Sequence, residues 1–257
     1  MIDSTVSTDR PVYLRLLGAA HVEGFAPGEL PGRSLELLTY LHLNPAGVAG
    51  VQVQHALWPD AYVPSNGHAR TLAKQTRSVL GHAPDGRRWF PEATKAGYDL
   101  HPALTSDWSD FQRLMGPDPS HTPTAALIDA VRLVRGQPLD GITRRPGWWT
   151  WRGPFEEAMI AGVLAAASEM YTRAMGAGRL SDARTAATIA RSTDPLNETG
   201  WRMELRLAMV RADPITYAQT VADLYATVGT AHPLDTETAQ LLAHAPAALR
   251  AAASHRP

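Results

Sequence analysis

SNGHARTLAKQTRSVLG, residues 65–81, is the stretch on which the reading of this chain turns. In helical register Leu72, Thr76, Val79 and Leu80 fall at i, i+4, i+7 and i+8 and form one apolar stripe. Arg70, Lys74 and Arg77 fall at i, i+4 and i+7 and form a second, with Thr71, Gln75 and Ser78 beside it. A short helix with one face for a core and one basic, hydrogen-bonding face meets the requirement for reading a DNA major groove. A solvated surface helix carries the same pattern, so the elements on either side decide between the two.

Upstream, VYLRLL (residues 12–17) suits a strand that Gly18 ends, and residues 20–23 suit a short second strand pairing back. Gly24, Pro27, Gly28, Pro31 and Gly32 punctuate a loop. Leu35, Leu38, Leu41 and Leu43 then keep near-helical spacing over 34–43 until Asn44-Pro45 stops the run. VQVQHALW (51–58) reads as a second helix ending before Pro59. Ser65 or Asn66 can cap the basic helix, and Gly81 can end it. Downstream, aromatic residues on either side of a Pro/Lys/Gly turn predict a two-strand hairpin over 88–100. Strand, strand, helix, helix, basic helix, hairpin is the order of a winged helix-turn-helix.

Beyond Asp107 the pattern is helical and predicts no strands. Trp108, Phe111, Leu114 and Met115 share one face. Further helices are predicted over 125–134, 155–175, 181–191, 197–210 and 215–228, with a last short one from about Asp235. AGRLSDARTAATIARSTDPLNE (177–198) places small residues at Ala183 and Ala190 and a proline at Pro195, the pattern of tetratricopeptide-like helix pairs. Small residues let paired helices approach, and the proline ends the second. The alanine-rich end is expected to fray. The expected fold is mainly α. A winged helix-turn-helix (α+β) occupies 12–106, an all-α tetratricopeptide-like repeat domain 107–245, and a disordered tail 246–257.

Bulk properties set bounds on function. The 257 residues are 44% apolar and 19% charged, enough for a real core. Net charge is −1, so any nucleic-acid surface is a local patch. Between Pro64 and His101 six basic residues face three acidic ones, a surplus that supports weak, salt-sensitive phosphate binding. With no cysteine there is no disulfide, thiolate metal site or cysteine nucleophile, which fits a cytoplasmic protein. The polar N-terminus lacks a signal-peptide core, and no apolar run is long enough to span a membrane. The ten histidines form no HExxH or other tight ligand spacing. There is no phosphate-binding loop and no nucleophile elbow. Asp107, Asp110 and Asp118 are spaced for caps and turns. No enzyme activity, metal or cofactor is expected.

VYLRLLG, RSLELLTYLHLNPAGV, ALW, ARTLAKQTRSVLG, AGYDL and DWSDFQRL, in this order and spacing, resemble the DNA-binding part of the antibiotic-regulatory (SARP-type) activators of actinobacteria. GQPLDGI and the later helices resemble their bacterial transcriptional activator domain, so the resemblance covers roughly residues 12–245. It implies a DNA-binding transcription regulator whose recognition helix lies around Arg70–Leu80 and whose wing lies around Lys95–Gly97. The implied DNA-binding residues are Arg70, Thr71, Lys74, Gln75, Arg77 and Lys95. The implied partners are double-stranded DNA and, through the repeats, RNA polymerase or a second copy of the chain.

One departure stands out. The segment from Thr71 to Gly81 is shorter than in typical members by about one turn, ~5.4 Å of rise, and has few arginines. In this it resembles the C-terminal module of actinobacterial proteins that carry a LysM domain. The alternative function is therefore a non-enzymatic protein-interaction module that keeps the fold without sequence-specific DNA binding.

Two further features have paired readings. RRPGWWTWRGP (144–154) is either a recognition surface, since Trp and Arg dominate hot spots, or a packing segment whose Trp148 or Trp151 is buried between the two halves. His68 either touches a phosphate or is an ordinary surface histidine.

Overall fold

The computed structural model describes residues 11–26, 28–59, 67–142, 150–229 and 232–254. The described residues fall into two compact units. The first runs to Asp110 and resumes over Pro138–Met159; the second comprises Phe111–Gln137 and the chain from Ile160 onward.

The first unit starts with strand β1 (Tyr13–Arg15), whose inward residue Leu14 is fully buried between half-buried neighbours. Strand β2 (His21–Glu23) pairs with it antiparallel, Leu14 opposite Val22. Strand β3 (Thr105–Ser106) lies on the other side of β1 and runs parallel, Leu14 opposite Ser106. The sequence did not announce β3, because two residues are too few for a period-2 signal. The buried carboxylate of Asp107, immediately after β3, accepts the backbone amides of Leu16 (2.7 Å) and Leu17 (3.2 Å) and so ends β1. Asp110 accepts the Tyr13 hydroxyl at 2.8 Å.

Three helices follow the first two strands: α1 (Gly32–His42), α2 (Gly50–Leu57) and α3 (Gly67–Leu80). Leu37, Leu38 and Leu41 of α1, Val53 and Leu57 of α2, and Ala69, Leu72, Ala73 and Leu80 of α3 are buried. Two polar contacts fix the helix arrangement. Thr76 Oγ1 donates to Ser34 Oγ at 2.9 Å, joining α3 to α1. The Ala69 amide donates to Gln54 Oε1 at 3.3 Å, joining α3 to α2.

The predicted hairpin over 88–100 is not a regular two-strand ladder. Pro91 removes a donor from its first arm. Tyr98 of its second arm instead exchanges two backbone hydrogen bonds with Val48, between α1 and α2, at 2.8 and 2.9 Å. What remains of the hairpin is the tight Thr94/Gly97 pair at its tip and, at its base, the His101 amide donating to the Trp89 carbonyl at 2.9 Å. Gly97 is required there: its φ is +113°, and a Cβ would lie 2.3 Å from the Val48 carbonyl oxygen.

Sequence reading ends the first region at residue 106, whereas Pro138–Met159 also belongs to this unit. The Leu139 amide bonds the Leu16 carbonyl at 2.8 Å, and the Ala20 amide bonds that of Asp140 at 2.6 Å. Trp151 is buried, its ring edge-on to Tyr40 at 5.3 Å. Arg152, also buried, is held by Glu156 and by the Ile142 carbonyl. Trp151 thus packs as part of the core of this unit; Arg144, Arg145, Trp148 and Trp149 lie outside the described residues.

The second unit has helices and no strand among its described residues. Helix α4 (Asp107–Met115) ends in it, and α5 (Thr124–Arg132), α6 (Arg152–Gly176, in this unit from Ile160), α7 (Leu180–Thr193), α8 (Glu198–Val210) and α9 (Pro214–Leu224) follow. The alanines read as a close-approach face, Ala183 and Ala190, are fully buried with Ala186 and Ala187. Across from them, a Cβ on Gly200 would lie 2.4 Å from the Arg191 backbone nitrogen, so α7 and α8 touch through their backbones. Asn197 and Asp213 cap α8 and α9.

After α9 the chain widens into one π-helical turn (Tyr225–Gly229), then forms α10 (Thr236–Ala243) and α11 (Ala247–Ser254). The end that was expected to fray is therefore helical to Ser254. The Pro246 carbonyl accepts the Leu249 and Arg250 amides at the start of α11, and Leu249 is buried in a cluster with Trp201, Leu205 and Tyr217.

Candidate nucleic-acid interface

Burial of one side of α3 dictates what the other side shows. At about 100° per residue, the buried Ala69, Leu72, Ala73, Thr76 and Leu80 take the inner face, with Val79 half-buried at its edge. Beyond its first two residues, Gly67 and His68, the exposed residues are Arg70, Thr71, Lys74, Gln75 and Ser78, an arc of about 140° on the same geometry. No acidic residue occurs in α3. Arg70 and Lys74 have no ion-pair partner among the described residues, so their charges stay available to solvent or ligand.

Arg77 does not join them. It sits about 20° beyond Arg70 on the helical wheel and is only 8% exposed. Its Nε donates to the Pro91 carbonyl at 3.0 Å, one terminal nitrogen pairs with Glu92 at 2.8 Å, and its guanidinium lies over the Phe90 ring at 4.8 Å. It fastens the 89–92 segment to α3. A long side chain at a face boundary follows its nearest partners, and the wheel alone does not show that these come from a segment a dozen residues later.

Lys95 is exposed at the tip of the Thr94/Gly97 turn, where the wing was expected. Arg88 is exposed, with no ion pair among the described residues, whereas Arg87 is tied to Asp85 at 2.6 Å. The Arg87 side chain and amide hold the Asp85 carboxyl down to about 2, aided by His101. His68 is exposed in the first turn of α3, its ring 5.5 Å from that of Trp58. Arg33 covers the same tryptophan at 4.3 Å. This trio joins the end of α2 to the start of α3. Ser65 and Asn66, the expected caps of α3, lie outside the described residues.

The arrangement can present two guanidinium or ammonium groups and three hydrogen-bonding side chains from one rigid helix, with two further cations nearby in sequence. Among the described residues no group of three His, Asp or Glu side chains could hold a metal ion, and no helix is long and apolar enough to cross a membrane. Of the three aspartates set aside as structural, Asp107 and Asp110 bind β1, and Asp118 caps a short 3-10 turn through the Ser120 amide.

The structure is similar to that of EmbR from Mycobacterium tuberculosis, solved in complex with a low-affinity phosphopeptide, with a TM-score of 0.56. Sequence identity is 19%, and the match covers 96% of this chain and 69% of the EmbR chain. At that identity the likeness is one of fold: a small sheet and three helices followed by packed helices. No protein-family model matches the chain, and no curated protein matches it in sequence.

Proposed function

We propose that this chain is a DNA-binding transcription regulator, non-enzymatic and acting in the cytoplasm. The observation that carries the reading is the exposed Arg70–Thr71–Lys74–Gln75 face of α3, free of acidic residues and held rigid by α1 and α2. In a major groove Arg70 and Lys74 would reach guanine acceptors or phosphates, and Gln75 would suit adenine. Lys95 at the turn tip, with Arg88, would meet the backbone. The resemblance to antibiotic-regulatory activators supports the same assignment. It also suggests that the repeat unit serves self-association or contact with RNA polymerase.

A second reading, a protein-interaction module without DNA recognition, is favoured by one observation. With Arg77 committed to Pro91 and Glu92, few cations remain for phosphates. Selection of genomic fragments by the full chain, followed by binding across a salt series, separates the two. A regulator enriches particular sequences and loses affinity steeply as salt rises. Absence of binding at ~50 mM salt, where counterion release most favours it, leaves the interaction module.

A further inference from the structure

The second unit carries a groove of about 460 Å³ that the DNA reading does not use. It runs between α7 and α9 and is floored by α8. Two of the helices lend it stripes at helical spacing, Arg184, Thr188 and Arg191 from α7, and Glu204 and Leu207 from α8 with Arg211 just past its end. Buried Leu207 and Ala208 form an apolar floor, and Ile215, 73% exposed, stands at the rim.

The charges are sorted by end. Consecutive helices joined by short turns run antiparallel, so Arg184 and Arg211 lie toward one end of the groove and Arg191 and Glu204 toward the other. Arg191 bonds Glu204 at 3.3 Å. At that end Asp223 adds a second carboxylate. Burial pushes the Glu204 carboxyl up, Arg191 opposes this, and the charge of Asp223 pushes the same way as burial. With two carboxylates, one of them accepting from Gln219 at 2.7 Å, against the one guanidinium of Arg191, that end is acid-rich. At the other end Arg184 and Arg211 have no ion pair among the described residues. The carboxylate there, Asp213, is turned onto the start of α9, where it accepts from Thr216 at 2.7 and 3.0 Å. That end is cation-rich.

We propose that this groove is a docking site for an extended protein segment that places an acidic side chain at Arg184 and Arg211 and a basic side chain at Glu204 and Asp223. The two ends are seven residues apart along α7 and α8, about 10 Å at 1.5 Å per residue. Three residues of extended chain span the same ~10 Å, and in polyproline-type geometry residues three apart share a face. The matching pattern is acid, two small or apolar residues, base. Opposite charges at the two ends fix the direction in which the segment lies. The proposal rests on the repeat unit being an interaction module and is independent of DNA binding.

The test is selection of displayed random peptides by the full chain, with affinities of the winners measured by fluorescence anisotropy. Selected peptides should carry an acid three positions before or after a base. Arg184→Glu with Arg211→Glu should weaken them by ~tenfold or more, as an attractive contact becomes like-charge. Asp223→Lys should do the same. Combining the two sets should favour peptides with the charges exchanged. Unchanged thermal melting of each variant excludes misfolding as the cause. Selection of no peptide overturns the proposal, as does equal binding of the winners to wild type and the charge-reversed variants. Concentration-dependent self-association that Arg184→Glu/Arg211→Glu abolishes, without peptide binding, overturns it in favour of a second copy as the occupant.

Discussion

Replacing Arg77 by alanine separates the two roles this residue could play. As a base-reading residue, its loss would leave stability unchanged and weaken DNA binding alone. The structure gives it a different task. Its bond to the Pro91 carbonyl is a charge-assisted contact of a nearly buried donor, worth about 1.5–3 kcal/mol. Stacking on Phe90 adds ~0.5–1 kcal/mol or more when desolvated. The Glu92 carboxylate is 76% exposed, so that pair adds at most ~1 kcal/mol. Because the three share one guanidinium they do not sum, and a total loss of roughly 2–4 kcal/mol is expected. Urea unfolding followed by tryptophan fluorescence measures it, with Trp89 one residue from the contact. Glu92→Gln should cost less than ~1 kcal/mol. Arg77→Lys should recover little, because an ammonium lacks the planar fork that bonds and stacks at once. A change within ~0.5 kcal/mol for Arg77→Ala, typical of open surface sites, would refute the clamp and return Arg77 to the exposed face.

Three further outcomes follow from the packing. Gly200→Ala should destabilise by about 1–3 kcal/mol, since its Cβ would press on the Arg191 backbone; an unchanged urea midpoint would mean that α7 and α8 are not in backbone contact. Leu249→Ala should cost roughly 2–5 kcal/mol if α11 is docked in the Trp201–Tyr217 cluster, whereas a frayed tail would show no loss. The His42 ring, bonded to Ser106 and Ser109 Oγ, has its pKa lowered by burial, with Asp107 opposing. Its neutral form therefore favours folding above the ordinary imidazole value near 6.5, and that contribution is lost as pH falls below it; an NMR titration placing His42 at or above 6.5 would contradict this.

What the sequence disclosed depends on how local each signal is. The strands at 13–15 and 21–23 and helices α1, α2 and α3 follow from periodicities within single segments, and the alanine face of α7 from spacing within one helix. Features made by distant segments were not legible. Strand β3 exists because Asp107 and Thr105 meet β1 some ninety residues earlier in the chain. The hairpin lost its ladder because Tyr98 found Val48. Arg77 moved from the reading face to the core because Phe90 and Pro91 supplied partners. The groove charges lie on three helices, and no single stretch contains both Arg184 and Glu204. The alanine-rich end looked featureless because one leucine, Leu249, carries its docking.

If the exposed face of α3 meets DNA, the salt dependence of binding will report it. The comparison is between wild type and Arg70→Ala/Lys74→Ala on one selected fragment, with equal urea midpoints as the folding control. Both side chains are exposed and without ion pairs among the described residues, so the double variant should fold normally. If both residues neutralise phosphates, the slope of log affinity against log salt should fall by about 1.8, from ~0.9 per released contact. A slope unchanged from wild type would show that DNA, if bound, is held elsewhere, and would contradict the account.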